Sequence, residues 1–210
     1  MPQDTRAPFI EGQFYHIYNR ANGDDRLFYT DANYIYFLKK LDTYLSGLLE
    51  IYAYCLIPNH FHLLARVRES TTPVRFRHIC STGEEESHKP DRCKITQHFS
   101  NFFNCYTKSI NRQEHRSGSL FERPFKRKLI DTQEYLKMII LYIHLNPVHH
   151  GLTENFESYR WSSYPILIGD QPTKLPHEAI YEIFDGKDRF IEDHKYAKLN
   201  YLEIAQYILE

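Results

Sequence analysis

Long apolar runs are missing from this 210-residue sequence. No segment approaches the roughly 20 residues that a bilayer-spanning helix needs, and no charged-then-apolar leader opens the chain. Both absences predict a soluble, cytoplasmic protein without a membrane partner. Cysteine is also scarce: the four present (Cys55, Cys80, Cys93, Cys105) show no C-x-x-C spacing. That fits reduced thiols better than a disulfide framework or a cysteine zinc knot. Net charge is nearly absent at −1, so the whole-chain balance says nothing about a polyanionic partner. Aromatics are abundant, at 15% with 17 Tyr, and they come with 12 His. Rings in that number build either a thick core or surfaces that stack on bases.

The length suits one domain with an appendage better than two full domains. Gln13 to Arg20 alternates as a strand does, and Asn22-Gly23 supplies a turn. Asp31 then caps a helix, Asp31 to Leu45, with Tyr34, Phe37, Leu38, Leu41 and Leu45 at helical spacing. Ile51 to Leu56 and Phe61 to Val67 are rich in β-branched and aromatic residues, and Pro58-Asn59 breaks them into two strands. Arg68 to Lys94 is poor in apolar residues and carries Glu84-Glu85-Glu86, which predicts a long loop with solvated charges. A helix follows over Ile95 to Asn111, and then a strand over Leu120 to Ile130, where Pro124 marks an edge or a bulge. Strand, helix, strand, strand, helix, strand predicts an α+β, ferredoxin-like domain. Its sheet would be four-stranded and antiparallel, with helices on one face.

A further helix is expected from Thr132 to about Asn146. Asp131 and Glu134 have capping-box spacing at its start, and Pro147 is expected to set its end. It is apolar almost all round, so it should be packed on several sides. Ala179 to Phe184 and Tyr196 to Leu209 read as helices of a small tail. That tail is acidic: residues 170 to 210 hold nine acids and five bases.

Three local patterns carry chemistry. His60 and His62 are two apart on a strand, so their imidazoles share one face with α-carbons about 7 Å apart, close enough to converge on a metal ion. Two incidental strand histidines would give the same pattern. Tyr142 and Asn146 lie at i and i+4, on one helix face about 6 Å apart along the axis. Pattern alone makes Tyr142 a core tyrosine and Asn146 a helix terminus. His144 alone reads as a packing histidine, and His149-His150 as complements of a helix dipole. Between Lys108 and Lys128 stand seven cations and two acids, a local net of +5. Arg116, Arg123, Lys126 and Arg127 interleave there with Phe121 and Phe125. Cations for phosphates beside rings for bases suit single-stranded nucleic acid, whereas solvated loop charges are the bland reading. Arg20 is grouped with these DNA-binding candidates.

Taken together the motifs resemble a known family. Pro58-Asn59-His60-Phe61-His62-Leu63-Leu64 is similar to the histidine–hydrophobic–histidine (HUH) motif. Tyr142-Ile143-His144-Leu145-Asn146-Pro147-Val148, closing at Gly151-Leu152, resembles the tyrosine-bearing helix of single-tyrosine HUH transposases. Ser117-Gly118-Ser119-Leu120-Phe121 with Phe125-Lys126, Trp161-Ser162-Ser163-Tyr164, and Tyr15-His16-Ile17 with Asn19-Arg20 resemble further stations of the REP-associated tyrosine transposase branch. The likeness covers about three-quarters of the chain, Phe14 to Tyr164, and leaves the residues after Pro165 unplaced. It implies an HUH transposase or nuclease domain over 10–164 and a helical C-terminal extension over 165–210.

The implied activity is cleavage and rejoining of single-stranded or hairpin DNA. Tyr142 would be the nucleophile, forming a 5′-phosphotyrosine link. His60, His62 and Asn146 would hold a divalent metal, Mg²⁺ or Mn²⁺. Two other classes stay open: a non-catalytic ferredoxin-like nucleic-acid-binding protein, and a His-x-His metallohydrolase with water as nucleophile. A homodimer completing the site is open as well.

Overall fold

The computed structural model describes residues 7–69 and 92–200, with side chains in the second stretch from residue 95 onward. The loop expected over 68–94 falls mostly outside those residues, as do Cys80 and most of the helix expected up to Leu209. Among the described residues no helix is long and apolar enough to cross a membrane.

Strand β1 (Phe14–Arg20) is followed by α1 (Asp31–Leu45), β2 (Leu49–Ile57), β3 (His60–Val67), α2 (Arg92–Gln113), β4 (Lys126–Ile130) and α3 (Gln133–His149). A single 3-10 turn and three short helices close the described chain: α4 (Tyr164–Ile168), α5 (His177–Ile183) and α6 (Lys187–Leu199). The strands form one sheet in the order β2-β3-β1-β4, with every neighbouring pair antiparallel. This is the α+β, ferredoxin-like arrangement that the element order predicts.

Both faces of the sheet carry buried side chains, and strand alternation assigns the faces. Tyr15, Ile17, Phe61, Leu63 and Ala65 point to one side, where they pack with Phe37 and Leu41 of α1 and Phe99, Phe102 and Tyr106 of α2. On the other side Cys55, Ile57 and Leu64 pack with Ile139, Ile140 and Ile143 of α3. Two helices therefore cover one face and α3 covers part of the other, over β2 and β3. Helices α5 and α6 pack in turn on α3.

Three boundaries differ from the sequence reading. Helix α3 does not stop before Pro147 but runs to His149 with the proline in its last turn. Proline removes one N–H and tolerates continuation where the helix is about to end. The stop comes at Gly151, whose left-handed φ of 65° lets its N–H reach Val148 O at 3.0 Å. At the other end Thr132, one residue past the expected cap, accepts from Tyr135 N at 3.1 Å. Strand β4 begins at Lys126 rather than Leu120. Its lead-in follows β1 through a bridge between Ala21 and Phe121, and Pro124 interrupts the ladder.

Candidate active site on the histidine face

The even-numbered positions of β1 and β3 look towards α3, and they carry an unusual number of imidazoles. His62 and His16 face each other across the β1–β3 pair, with His62 Nδ1 and His16 Nε2 2.9 Å apart. His60, one turn of the pleat away, donates from Nδ1 to Asn59 Oδ1 at 2.8 Å. His150, just past α3, stands edge-on to His60 with 4.6 Å between ring centroids. Tyr142 closes the group from above: its ring is perpendicular to His62 at 5.5 Å and to His16 at 6.0 Å. One chain thus brings the strand histidines and the helix tyrosine together.

Asn146 sits between them. Its Nδ2 donates to Tyr142 O at 2.9 Å, and it is fully buried. Its Oδ1 is buried with no hydrogen-bond partner. A buried carbonyl oxygen left without a donor costs about 1–3 kcal/mol, so its presence calls for a reason. Asn146 also lies close to both neighbours, without a formed hydrogen bond to the His60 ring, and its amide raises the proton affinity of His60 and lowers that of the Tyr142 phenol.

Burial dominates the electrostatics. Desolvation, helped by the His150 and Arg20 charges, pulls His60 down to about 3. His16 is pulled to about 3 by desolvation and by Lys128. His62 is lowered well below the usual range, again by desolvation first and then by its histidine neighbours. All three rings are neutral at physiological pH, which is the form that donates a lone pair to a metal. The Tyr142 phenol is pushed up by burial. It is therefore protonated at rest and needs help to become a nucleophile.

These residues fit a divalent ion in one arrangement. His60 spends Nδ1 on Asn59, and His62 spends Nδ1 on His16, so Nε2 remains the ligating atom of each ring. A hydrogen bond on the far nitrogen is what fixes the tautomer of a metal-binding histidine. The orphaned Asn146 Oδ1 completes a two-imidazole, one-amide donor set. Among the described residues no three His, Cys, Asp or Glu side chains converge as a metal site. An ion held here would draw on the amide together with water or substrate oxygens. Sequence reasoning placed His16 in the opening-strand motif but gave it no part in the metal site. Its signal is parity: it lies on β1, two positions before Tyr18, which pairs with His62.

The basic cluster divides. Lys126 and Lys128 pair with Tyr18 and His16 across β4 and β1, so both lie on the histidine face. Arg20 pairs with His60 on the same face and forms an ion pair with Glu122 at 3.4 Å. Arg123 is exposed in the lead-in to β4. Arg127 is on the opposite face, its guanidinium over the Phe9 and Phe125 rings at 4.8 and 5.2 Å. Arg116 ties down a turn through an ion pair with Asp25.

Phe121 and Phe125 are core residues, 3% and 8% exposed, packed on Phe103 and Phe99. The structure therefore corrects the expectation that these two rings stack on bases, because no ring face is offered to solvent. Phe121→Ala should destabilise the fold by about 3–5 kcal/mol. Chemical denaturation checks this, and a midpoint equal to wild type would contradict the placement.

Comparison with known proteins gives the arrangement a context. No family model matches the chain. It is 29% identical over 115 residues to a Haemophilus influenzae protein named as a REP-associated tyrosine transposase, matching 55% of this chain and 58% of that protein's length. In fold it is similar to a REP-associated tyrosine transposase solved with a REP hairpin bound. That likeness has a TM-score of 0.58 at 14% identity and covers 80% of this chain and 87% of the other. The resemblance read from the motifs thus has a counterpart in both sequence and fold.

Proposed function

We propose that the chain cleaves and rejoins single-stranded DNA beside a hairpin through covalent attachment to Tyr142. The observation that carries this reading is the placement of Tyr142 edge-on to His62 with the orphaned Asn146 oxygen alongside, all within one chain. The hairpin-bound fold neighbour supports the choice of substrate.

In the reaction Tyr142 Oη bonds to the scissile phosphorus and the phosphorus–O3′ bond breaks. The phenol proton is lost, and the departing 3′ oxygen takes one up. The product is a 5′-phosphotyrosine and a free 3′-hydroxyl, so the phosphodiester bond energy is conserved for rejoining. A Mg²⁺ or Mn²⁺ ion held by His60, His62 and Asn146 would supply positive charge against the phosphate oxygens. Asn59 Oδ1, which only accepts, holds the His60 proton on Nδ1, and His16 Nε2 does the same for His62 when the His16 proton is on Nδ1. Asn146 favours ionisation of the phenol that burial disfavours. The proposed nucleophile and metal-binding residues all come from one chain.

The strand has an evident course. Helix α3 covers β2 and β3, leaving the β1–β4 half of the histidine face beside Tyr142. There the partly exposed Tyr18 ring lies flat on His16 at 4.7 Å, and Lys126 Nζ is 6.0 Å from its centroid. A base can stack on Tyr18 while Arg20, Lys126 and Lys128 meet phosphates. Changing Arg20, Lys126 and Lys128 together to Ala should flatten the log-affinity against log-salt slope by roughly 0.7 to 0.9 for each phosphate no longer neutralised. Changing Arg127 alone should leave the slope as it is. Equal slopes for wild type and the triple variant, measured on a hairpin with a single-stranded flank, would remove the strand from this surface.

The activity is tested by incubating the protein with such a labelled hairpin and Mn²⁺, then resolving the products under denaturing conditions. A labelled band at the mass of protein plus oligonucleotide is expected. Cleavage without it would identify a hydrolase that uses water, and binding without either would identify a nucleic-acid-binding module.

A further inference from the structure

The Trp161-Ser162-Ser163-Tyr164 segment has no part in the proposed chemistry, yet it is tied to β2 along its length. Leu56 N donates to Trp161 O at 2.9 Å, and Ser163 N donates to Tyr54 O at 2.9 Å. Ser163 Oγ in turn accepts from Tyr54 N at 2.9 Å and lies 2.7 Å from His144 Nε2. His144 Nδ1 is 2.8 Å from His194 Nε2 on α6, and His194 Nδ1 is 2.7 Å from Phe190 O. Ser163, His144 and His194 are all fully buried.

Chemistry gives this chain a single direction. A carbonyl only accepts, so His194 must carry its proton on Nδ1 and offer a lone pair at Nε2. His144 must then donate from Nδ1 and accept at Nε2, and the Ser163 hydroxyl must donate to it. Ser163 Oγ also accepts from Tyr54 N–H. Each ring nitrogen in the row has one partner and one role, and the Ser163 hydroxyl both donates and accepts. Desolvation keeps both rings neutral, as the assignment requires.

The location matters because α3 is apolar on nearly every side, with Ile139, Ile140, Leu141, Ile143 and Leu145 all buried. Apolar contact is non-directional and discriminates weakly between rotations of such a helix about its axis. Buried polar atoms discriminate strongly, since a turned helix leaves them unpaired. His144 is two residues from Tyr142 and two from Asn146, about 200° round the helix from each. The polar row thus grips the face opposite the active site.

We propose that Ser163, His144 and His194 are positioning residues that set the rotation of α3 and so aim Tyr142 and Asn146 at the histidine face. Helix α6 is then a working part of the cleavage machinery, although none of its described residues enters the site itself. The activity arm of this inference rests on the function proposed above, and the spectroscopic arm does not.

The test uses the full chain. His194→Phe keeps a ring of similar size and removes the acceptor for His144. It should lower kcat for adduct formation tenfold or more, with KM and hairpin affinity within twofold of wild type. In His144→Leu/His194→Phe no ring nitrogen is left in the row, and the Ser163 hydroxyl can turn to Tyr54 O, 3.3 Å away. The double variant should recover thermal stability over the single one while kcat stays low. Recovery of kcat along with stability would overturn the proposal, because the single variant would then have failed only through an orphaned polar atom.

Two further readouts are independent of cleavage. Histidine ¹⁵N spectra should show His144 and His194 protonated on Nδ1, and protonation on Nε2 in both would overturn the proposal. In protein containing 3-fluorotyrosine, the ¹⁹F resonance of Tyr142 should move in both variants. A wild type that forms no adduct but shows this shift would sink the cleavage reading and leave the positioning role standing. An unmoved resonance would sink the positioning role alone.

Discussion

Tyr142→Phe should reduce adduct formation by roughly three orders of magnitude or more, as loss of a covalent nucleophile does, while hairpin affinity stays within about twofold. The asymmetry follows from where the ring sits. Tyr142 is buried on α3 against the edges of His62 and His16, and Phe retains every one of those ring contacts. Only the hydroxyl is removed, so the fold and the β1–β4 strand path are untouched. Single-turnover assays with saturating hairpin separate the two quantities. Cleavage by the Phe variant at the wild-type rate would assign the nucleophile elsewhere.

The second large effect concerns Asn146 and runs in opposite directions for stability and activity. Asn146→Leu removes a buried carbonyl oxygen that has no donor and replaces it with an apolar group of similar size. The variant should be more stable by about 1 kcal/mol, a rise in Tm of roughly 2–4 °C for a chain of this length. Cleavage should nevertheless be lost. Wild type should also gain stability on adding Mn²⁺, by about 2.7 kcal/mol at a hundredfold excess over Kd, and the Leu variant should gain far less. Calorimetry with and without Mn²⁺ measures both. A Leu variant less stable than wild type, or one with an equal response to the ion, would mean that Asn146 is an ordinary structural residue. On the proposed function, the unpaired oxygen is held at this position for a metal ion.

The residues that were legible in the sequence are those whose roles depend on short-range periodicity. His60 and His62 share a face because strand side chains alternate, and Tyr142 and Asn146 share one because helix side chains recur at four. The fold followed from the order of such elements. What the sequence concealed depends on pairing across long separations. His16 is 46 residues from His62, and only the β1–β3 register makes them partners. The row from Ser163 through His144 to His194 is spread over 50 residues and three elements. The basic segment misled for a related reason: counting charges along the chain ignores parity. Lys126 and Lys128 point to the site, while Arg127, between them, points to Phe9 on the other face. Phe121 and Phe125 interleave with cations in sequence, yet they are held in the core by Phe103 and Phe99.

The helix ends were obscured by rules that hold within a helix but relax at its last turn. Pro147 has the strongest breaking tendency of any residue, but its missing N–H matters little two residues before the end of α3. Gly151, which takes the left-handed conformation, is the effective stop.

The most direct measurement of the central claim is the chemical identity of the protein–DNA link. After reaction with a single-strand-flanked hairpin and Mn²⁺, nuclease and protease digestion followed by mass spectrometry locates any residual nucleotide on a peptide. The expected result is one phosphodiester-linked nucleotide, attached through its 5′ phosphate to Tyr142 in the peptide that spans α3, and none in the Tyr142→Phe protein. A nucleotide on Tyr18 or any other side chain, or cleaved DNA with no modified peptide, would contradict it.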